Sequence, residues 1–478
     1  MKKVLFINPP LNYFPGLKGK DTNYCRPPLG IAYLASYLQK YYPQEIKVKI
    51  LDAMVLDLTK EEIIKEIKDF NPNLIGITSV TATATFVKGL SEEIKRLFPQ
   101  VIIVVGGPHP TALPFDLLPP ADISVIREGE ETLLEILKRG EEENWEKIKG
   151  ISFLREKEQK ITPSRPFIQD LDSIPFPARH LLPLDSYFHL YPYKTRTKRF
   201  TTIFTARGCP FACRFCGNEY IWKRQVRYRR IEAVLEEIKE VVKRYNVSLI
   251  FFDDDTFTIN KERAYQICAG IIDLNLNFKW ICHSRADILE KPLLEVMKRA
   301  GCVEMQVGIE SGDQNVLDAV NKSSSLDKLR EGMRALKEVG IQTWGTFMLG
   351  NISETKETIK KTIKFALELD PTYASFIVFL PFPGLSIYDE YVQKGYIKTF
   401  RWEKYCWHGE PVFETEELSK RDLISLRREA NIKFYLRPHK LMNYLFTVIK
   451  IRSLREMWRN FRAFLNVILP KPQGNRQF

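Results

Sequence analysis

The chain has no long apolar run. Its 478 residues are 44% hydrophobic, the mean hydropathy is −0.23, and no segment approaches the roughly 18 consecutive apolar residues that a membrane-spanning helix needs. The amino terminus is positively charged, but the apolar run that follows it is too short for the core of a signal peptide. We therefore expect a cytoplasmic protein of about three domains.

Cysteine is scarce and is not arranged as a disulfide framework. Of the eight cysteines, five are scattered, and isolated cysteines in a large chain usually behave as small buried hydrophobic side chains. This usage indicates a reducing compartment. The net charge of +13 favours an anionic partner without choosing among nucleic acid, a phosphorylated substrate and a membrane surface. The scattered cysteines are Cys25, Cys268, Cys282, Cys302 and Cys406.

The other three cysteines share one short loop. Cys209, Cys213 and Cys216 stand at C-x3-C-x2-C spacing, so each thiolate can hold one iron of a four-iron cluster and leave the last iron open to a small molecule. A zinc site is one alternative, although its fourth ligand would have to come from the distant Cys268. Three unrelated buried thiols are the other, and these would not be expected in a turn punctuated by glycine and proline.

The loop resembles the signature of radical S-adenosylmethionine (radical SAM) enzymes, which has this spacing and an aromatic residue, here Phe215, before the third cysteine. The resemblance implies a 4Fe-4S cluster on the three cysteines, with the methionine moiety of SAM chelating the open iron. It further implies that reduction of the cluster cleaves SAM to a deoxyadenosyl radical. An electron donor such as flavodoxin or ferredoxin is therefore an expected partner.

The first 140 residues alternate between strand and helix patterns. Helical periodicity covers segments such as Gly30–Tyr42 and Thr85–Phe98, and short apolar runs lie between such segments. This alternation predicts an α/β domain with a doubly wound, flavodoxin-like parallel sheet, in which ligands bind outside the carboxyl ends of the strands. The predicted strands are Val4–Asn8, Ile46–Leu51, Leu74–Thr78, Val101–Val105 and Asp122–Ile126.

Small and polar residues follow the last three of these strands. Adjacent glycines let a ligand approach the backbone, and hydroxyl groups supply adaptable hydrogen bonds, so the pattern favours a nucleotide-sized ligand. No G-x-G-x-x-G follows the first strand, which disfavours a dinucleotide. The candidate ligand-binding residues are Thr78, Ser79, Thr81, Gly106, Gly107, His109, Glu128 and Gly129.

A doubly wound domain ahead of this cysteine loop resembles the cobalamin-binding domain of cobalamin-dependent radical SAM enzymes. The resemblance runs through residues 106–111, 127–130 and 172–179, and implies that the candidate residues bind cobalamin. The D-x-H-x-x-G loop that gives some cobalamin proteins a lower axial histidine is absent, so we expect cobalt without a histidine ligand. A domain that binds only a partner or a vestigial ligand is the alternative, and His109 would then be a turn or hydrogen-bonding residue.

The strand and helix rhythm restarts near residue 201 and gives six units, fewer than a closed barrel requires. The resemblance implies the six-stranded partial (β/α) barrel of radical SAM enzymes. The predicted strands are Thr202–Thr205, Ser248–Phe252, Phe278–Cys282, Val303–Gly308, Ile341–Met348 and Tyr373–Leu380. The predicted domains are a cobalamin-binding domain (1–140), a proline-rich linker (141–195), the partial barrel (196–400) and a helical, basic carboxy-terminal region (401–478).

Candidate SAM contacts lie after the barrel strands, where barrel chemistry gathers. The resemblance places Asp253 or Asp254 against the SAM ammonium, with helix capping as the alternative. Arg285 suits a carboxylate of SAM or substrate, or an ordinary ion pair, and Glu310 between two glycines suits a ribose hydroxyl. A glycine after the fifth strand suits the adenine or a turn. The full set is Phe215, Asp253, Asp254, Arg285, Glu310 and Gly350.

Residues 437–471 form a basic tail with eight Lys or Arg and one acid. Apolar residues recur at helical spacing and include Trp458 and Phe461. Such a helix is typical of a segment that lies on an anionic membrane, where it would bring the site to a hydrophobic small-molecule substrate. A helical cap packed on the barrel is the other interpretation.

Together these features predict a cobalamin-dependent radical SAM methyltransferase. The resemblance implies that cobalamin takes a methyl group from one SAM, that a second SAM yields the radical that removes hydrogen from an unactivated carbon, and that this carbon then takes the methyl from cobalt. The alternatives are an oxidative cyclase or rearrangement enzyme with the same cofactors, an RNA-modifying radical SAM enzyme, and a non-catalytic carrier. Nucleic acid is disfavoured because Cys25 stands alone where a second cluster would need several cysteines.

Overall fold

The computed structural model contains two mainly parallel β-sheets covered by helices. The first sheet is formed by β1 (Lys2–Asn8), β2 (Ile46–Asp52), β3 (Leu74–Thr78), β4 (Ile102–Gly106), β5 (Ile123–Val125), β6 (Ile151–Arg155) and β7 (Glu158–Ile161). Its helices are α1 (Leu29–Tyr41), α2 (Ala53–Leu56), α3 (Lys60–Phe70), α4 (Ala84–Leu97), α5 (Pro108–Ala112) and α6 (Glu130–Arg139). The structure describes residues 1–11, 26–42, 44–139, 142–187, 199–407 and 409–442.

The first sheet is doubly wound, as predicted. Its strand order is β2-β1-β3-β4-β5-β6-β7, and β1 to β5 are parallel. Helices α1 and α6 pack on one face and α3 and α4 on the other, so Val4 to Ile7 of the central strand are at most 1% exposed. The order reverses between β1 and β3, and this switch point is where such sheets bind ligands.

The segment predicted as a linker over 141–195 is only partly one. Strand β6 pairs antiparallel with β5, and β7 pairs antiparallel with β6, so the first sheet has seven strands. Glu156 and Lys157 connect β6 to β7 with φ values of 50° and 71°, the backbone of a two-residue hairpin. The prolines that suggested a linker begin at Pro163 and leave this stretch free to pair.

The second sheet has six parallel strands. They are β8 (Phe200–Ile203), β11 (Leu249–Phe252), β12 (Lys279–Ser284), β13 (Cys302–Glu310), β14 (Gln342–Leu349) and β15 (Tyr373–Val378). Between β8 and β11 in the chain, β9 (Ala206–Arg207) and β10 (Arg227–Tyr228) form a separate two-stranded pair. The strand order is β15-β14-β13-β12-β11-β8, which confirms the partial barrel. All the predicted strands of both sheets are present, with ends shifted by at most two residues.

Helices alternate with the strands of the second sheet. They are α7 (Asn218–Ile221), α8 (Ile231–Lys243), α9 (Lys261–Leu274), α10 (Lys291–Arg299), α11 (Gln314–Ala319), α12 (Leu326–Val339), α13 (Lys356–Leu369), α14 (Ser386–Gln393) and α15 (Lys420–Tyr435). Helix α15 begins at a capping box made by Ser419 and Asp422, and it packs on α13 and β15. Its buried apolar residues belong to the core of the partial barrel.

One hydrophobic core continues from the first sheet to the second. Phe200, Leu249, Phe251 and Ile281 of the barrel strands belong to the same buried cluster as the inner faces of α1 and α6. The two domains therefore share packed surface, and their relative position is set by side-chain packing rather than by a flexible linker.

The predicted membrane tail lies mostly outside the described residues, from residue 443 onward. Before that point, Arg437 and Lys440 lie 2.7 and 3.0 Å from Asp370 at the end of α13. The start of the tail is thus held on the barrel by ion pairs. Among the helices of the described ranges, none combines the length and the apolar character that crossing a membrane demands.

Candidate cofactor and active site

The cysteine loop leaves β9 through a turn that only glycine allows. Gly208 has a φ of 93°, and a Cβ at this position would lie 1.9 Å from the carbonyl oxygen of Gln225. The antiparallel pairing of β9 with β10 brings this carbonyl against the loop. The backbone next to Cys209 is therefore held in place before any cofactor binds.

The three thiols of the loop lie together and are reduced. The seven described cysteines form no disulfide, and the neighbouring thiols of the loop help to raise the pKa of Cys213 and of Cys216. Burial is the larger effect: it raises the pKa of Cys213 and lifts that of Cys216 to about 12. Without iron, Cys213 and Cys216 are protonated at neutral pH, so iron must displace their protons when it binds.

The three thiols of the loop do not converge on one point. Within the described ranges, no three His, Cys, Asp or Glu side chains surround a single point as the ligands of one ion would. In a four-iron cluster each thiolate binds a different iron, so the sulfurs do not converge on one centre. Three thiols on one glycine-ordered loop fit that donor set.

Arg285, at the end of β12, fastens this loop to the barrel. It donates to Asp287 through Nε and Nη2 at 3.0 and 2.8 Å, and to the carbonyl of Lys322. Its Nη1 donates to Cys213 Sγ at 3.7 Å, and its guanidinium stacks 3.8 Å from the ring centre of Phe211. Of the roles considered for Arg285, the structure shows the ion pair, which is made with Asp287. It also shows a hydrogen bond from Arg285 to the thiol of Cys213, which sequence reasoning did not predict.

The first two aspartates of the Asp253–Asp255 run are occupied by protein groups. Asp253 Oδ1 accepts from Arg26 at 2.6 Å. Burial raises the pKa of Asp253, but Arg26 and His283 together lower it below its ordinary value. Asp254 accepts from the backbone of Thr205 and Ala206 at 2.6 and 3.1 Å. Burial nevertheless raises the pKa of Asp254 to about 6. Asp254 therefore binds the backbone that follows β8, whereas the next helix, α9, is capped by Asn260.

The third aspartate of the run is the available one. Asp255 is exposed and accepts from Asn218, just past the cysteine loop, at 3.3 Å. Partial loss of water around the carboxylate, together with the negative charges of Asp254 and Asp253, raises the pKa of Asp255 to about 6. The sequence motif marked the run but selected its first two members, because nothing local shows which carboxylate the fold leaves open.

Glu310 and Lys322 form a buried ion pair at the end of β13. Their Oε1 and Nζ atoms are 3.0 Å apart, with side chains 7% and 5% exposed. A Cβ at position 308 would lie 2.3 Å from Glu310 Oε1, so Gly308 makes room for this carboxylate. Lys322 Nζ also lies 5.9 Å from the ring centre of Phe215. Sequence reasoning missed Lys322, which stands in a polar loop without a distinguishing pattern.

Gly350 adopts a φ of 83° after β14. A Cβ there would lie 2.8 Å from Leu423 and 3.0 Å from Phe413, and its N–H donates to Glu354. Of the two roles considered for Gly350, a contact with adenine or a turn, the structure shows the turn. The turn packs against Phe413 and Leu423 of the carboxy-terminal region.

The cobalamin candidates divide into an open edge and a buried group. Thr78, Gly106, Gly107 and Gly129 are half-buried, while the other four are buried, namely Ser79, Thr81, His109 and Glu128. Gly107 has a φ of 103°, and a Cβ there would lie 2.9 Å from the carbonyl oxygen of Ser79. Gly107 therefore lets the backbone after β4 pack directly on the backbone after β3.

His109 makes a contact between the first domain and the carboxy-terminal region. Its Nε2 lies 3.0 Å from Asp116 and its Nδ1 3.4 Å from Thr81. The indole of Trp402 donates to the same Asp116 at 3.0 Å, and its ring lies edge-on to the histidine at 5.5 Å. Both nitrogens of His109 face protein partners. Asp116 and Trp402 were missed because their contact spans almost three hundred residues.

Known proteins share both domains of this chain. Residues 20–137 match the B12 binding domain family and residues 203–366 the radical SAM superfamily. An uncharacterized methyltransferase of Pyrococcus horikoshii is 34% identical over 443 residues, covering 91% of this chain and 94% of the relative. The chain belongs to the cobalamin-dependent radical SAM enzymes.

Two further comparisons extend over most of this cobalamin-dependent radical SAM enzyme. The anaerobic magnesium-protoporphyrin IX monomethyl ester cyclase of Rubrivivax gelatinosus is 29% identical over 473 residues, covering 97% of this chain and 82% of the cyclase. The structure of the cobalamin-dependent SAM radical enzyme OxsB with aqua-cobalamin and SAM bound has a TM-score of 0.73 at 18% identity, covering 97% of this chain and 70% of OxsB. At this low identity, the likeness to OxsB concerns the fold alone.

The two domains assign a 4Fe-4S cluster, SAM and cobalamin as the cofactors of this radical SAM enzyme. The cysteine loop fits the cluster, because its three thiols are reduced, close together and backed by the Arg285 guanidinium. At the carboxyl ends of β3 to β5, the buried side chains of Ser79, His109 and Glu128 have protein partners, so the half-buried Thr78, Gly106 and Gly129 are the candidates left for contact with cobalamin.

Proposed function

We propose that this enzyme is a methyltransferase that places a methyl group on an unactivated carbon of a small molecule. The observation that supports this most directly is the end-to-end match to the P. horikoshii methyltransferase, at 34% identity. When bound, the cofactors supply a transferable methyl group and a radical that removes a hydrogen atom from carbon. The substrate and a one-electron reductant, such as flavodoxin or ferredoxin, are the partners that such an enzyme needs.

The residues of the chain have positioning roles in this proposal. Cys209, Cys213 and Cys216 hold the cluster, and Arg285 fixes the loop that carries them. Asp255 is the carboxylate available to the ammonium group of SAM beside that loop. The core shared by the two sheets holds both cofactor sites near one substrate. The cluster-bound SAM, the corrin and the substrate then react without having to meet by diffusion.

A cyclase that uses the same cofactors without methyl transfer is the second candidate. The match to the R. gelatinosus cyclase favours it, since that match covers 97% of this chain. The two candidates differ in the fate of SAM. A methyltransferase consumes SAM in two ways and releases both S-adenosylhomocysteine and 5′-deoxyadenosine, whereas a cyclase of this kind releases only 5′-deoxyadenosine.

The deciding experiment needs no knowledge of the substrate. The full chain is reconstituted anaerobically with iron, sulfide and cobalamin, reduced, and given SAM with a deuterated methyl group. We expect S-adenosylhomocysteine with the label recovered in the corrin fraction, and 5′-deoxyadenosine from slow unproductive cleavage. Cleavage to 5′-deoxyadenosine without S-adenosylhomocysteine would favour the cyclase. Failure to bind corrin would reject both candidates.

A further inference from the structure

Two acidic residues of the cobalamin-binding domain form ion pairs with Arg207, the arginine that precedes the cysteine loop. Arg207, the last residue of β9, extends Nη1 to Glu128 Oε1 at 2.6 Å and Nη2 to Glu130 Oε1 at 2.7 Å. The side chains of Arg207, Glu128 and Glu130 are 11%, 5% and 5% exposed. One guanidinium thus bridges two carboxylates across the boundary between the domains.

Glu128 holds a second arginine in the same place. Arg227 Nη1 lies 3.0 and 2.9 Å from the two oxygens of Glu128, and the backbone N–H of Ile168 donates to Oε2 at 2.9 Å. Both oxygens of Glu128 are therefore engaged by protein groups. A carboxylate in this state does not offer a free oxygen to a corrin amide.

The geometry connects this network directly to the cluster ligands. Arg207 and Arg227 face each other across the β9 and β10 pair. Gly208 follows Arg207 at a position where a Cβ would strike the carbonyl oxygen of Gln225, and Cys209 comes next. Only Gly208, whose conformation is confined by Gln225, separates Arg207 from Cys209. A displacement of Arg207 would therefore displace the cysteine loop.

The network balances two positive and two negative side chains away from water. Burial alone would lower the pKa of Arg207, but Glu130 and Glu128 raise it above its ordinary value. Arg227 depends on Glu128, the one carboxylate that pairs with it in the described part of the chain. Its Nε and Nη2 have no hydrogen-bond partner among those residues. Without Glu128, Arg227 would be a buried cation with no counter-charge.

We propose that Glu128 is a positioning residue that fixes the cysteine loop to the cobalamin-binding domain and thereby sets the separation of the cluster and the corrin. The role assigned to Glu128 from the sequence was direct contact with cobalamin. A fixed separation matters because both cofactors act on one substrate, and a misplacement of about 1 Å can cost roughly 100-fold in rate. The proposal rests on the two cofactors and holds for methyl transfer and for cyclisation.

The test compares Glu128→Gln with Glu131→Gln in the full chain reconstituted with cluster and cobalamin. Glu131 is a matched control: it lies in α6, is 45% exposed and meets Arg165 only at 3.4 Å. Pulsed electron paramagnetic resonance measures the distance distribution between the reduced cluster and cob(II)alamin. Absorbance titration with cobalamin and iron analysis measure binding of each cofactor separately.

We expect Glu128→Gln to bind cobalamin and iron as the wild type does but to show a broadened or shifted distance distribution, while Glu131→Gln matches the wild type. Weakened cobalamin binding with an unchanged distance would overturn the proposal and make Glu128 a corrin contact. An unchanged distance together with unchanged binding would also overturn it. These readouts do not involve methyl transfer, so they stand apart from the test of the proposed function.

A second variant keeps the test decisive if Glu128→Gln does not fold. Arg207→Lys retains the charge but replaces the two-armed guanidinium with a single ammonium, which cannot bridge Glu128 and Glu130 in the same way. We expect folded protein with a distance distribution broader than that of the wild type. A wild-type distribution in folded Arg207→Lys protein would contradict the proposed positioning role of Glu128.

Discussion

Arg179 and Glu237 form an ion pair in the interior, with Nη2 and Oε1 2.6 Å apart and side chains 1% and 0% exposed. Arg179 belongs to the segment between the two sheets, and Glu237 belongs to the barrel helix α8. A second guanidinium, that of Arg229, contacts the other carboxylate oxygen. The connecting segment is thus attached to the barrel by buried charge as well as by apolar packing.

Replacing Glu237 with glutamine should strongly destabilise the protein. The change leaves Arg179 buried without its carboxylate partner, while Arg229 keeps only a longer contact of 3.8 Å with Asp172. Breaking a buried pair of this kind costs about 3–5 kcal/mol. Denaturant unfolding of both proteins measures the loss. The control is Glu240→Gln on the same helix, where an i,i+4 pair with Arg244 should be worth only about 0.3–0.5 kcal/mol. Equal effects of the two substitutions would contradict the buried role of Glu237.

The same carboxylate predicts a dependence on pH. Burial raises the pKa of Glu237, but Arg229 and Arg179 lower it more, so the folded value lies below the ordinary 4.5. A group with a depressed folded pKa stabilises fully above its unfolded pKa and loses that contribution as the pH falls below it. The stability difference between wild type and Glu237→Gln should therefore shrink as the pH is lowered below about 4.5.

Cys213→Ala should abolish cluster binding. Two thiolates cannot retain a four-iron cluster that needs three protein ligands. Iron and sulfide analysis after anaerobic reconstitution measures the loss. Cys268→Ala is the control, because Cys268 is buried in α9 and should leave the iron content unchanged. A full iron content in Cys213→Ala protein would exclude the three-cysteine site.

Arg285→Gln should make the cluster harder to reduce. The guanidinium places a positive charge and an N–H donor at Cys213 Sγ, 3.7 Å away, and hydrogen bonds and charge at the thiolates set the potential of a cluster. A redox titration followed by electron paramagnetic resonance should show a more negative midpoint potential. Arg214→Gln is the control, since Arg214 lies in the same loop but pairs with Glu390 at 3.0 Å. A shift of the same size in both variants would contradict a specific role for Arg285.

Asp255→Asn should weaken SAM binding by about tenfold or more, the value of one hydrogen bond to a charged group. Its carboxylate is exposed beside the cysteine loop, and an amide cannot pair with an ammonium as a carboxylate does. Equilibrium binding of SAM to the reconstituted enzyme measures the change. Asp273→Asn, on the exposed face of α9, removes the same charge and should bind SAM as the wild type does. Unchanged affinity in Asp255→Asn would return the question to Asp253.

Glu354 should make the protein less stable as the pH rises. Burial raises its pKa from 4.5 to about 8, even though the N–H groups of Asn351 and Gly350 lower it. A group with a raised folded pKa contributes fully below its unfolded pKa and loses that contribution as the pH rises through the folded value. Between pH 4.5 and about 8, wild type should lose roughly 1 kcal/mol per pH unit relative to Glu354→Gln. A constant difference across that window would show that Glu354 is ionised throughout.

Local sequence patterns predicted most strands of the two sheets, the helices between them and the cysteine loop as the site of the cluster. Alternating apolar runs and helical periodicity are local patterns, and they placed every predicted strand to within two residues. The cysteine loop is equally local, because its three ligands lie within eight residues of each other. The strands β6 and β7 were missed because the prolines that follow them suggested a linker and outweighed an amphipathic pattern of only a few residues.

Only the tertiary structure decided the roles of the polar residues around that loop. Asp253, Asp254 and Asp255 look equivalent in the sequence, yet one meets Arg26, one binds the backbone that follows β8 and one is open. Glu128 and His109 contact partners that are far along the chain, Arg207 and Trp402 among them. The reason is physical: a hydrogen bond or ion pair between distant residues depends on how two domains pack, and local sequence does not encode that packing.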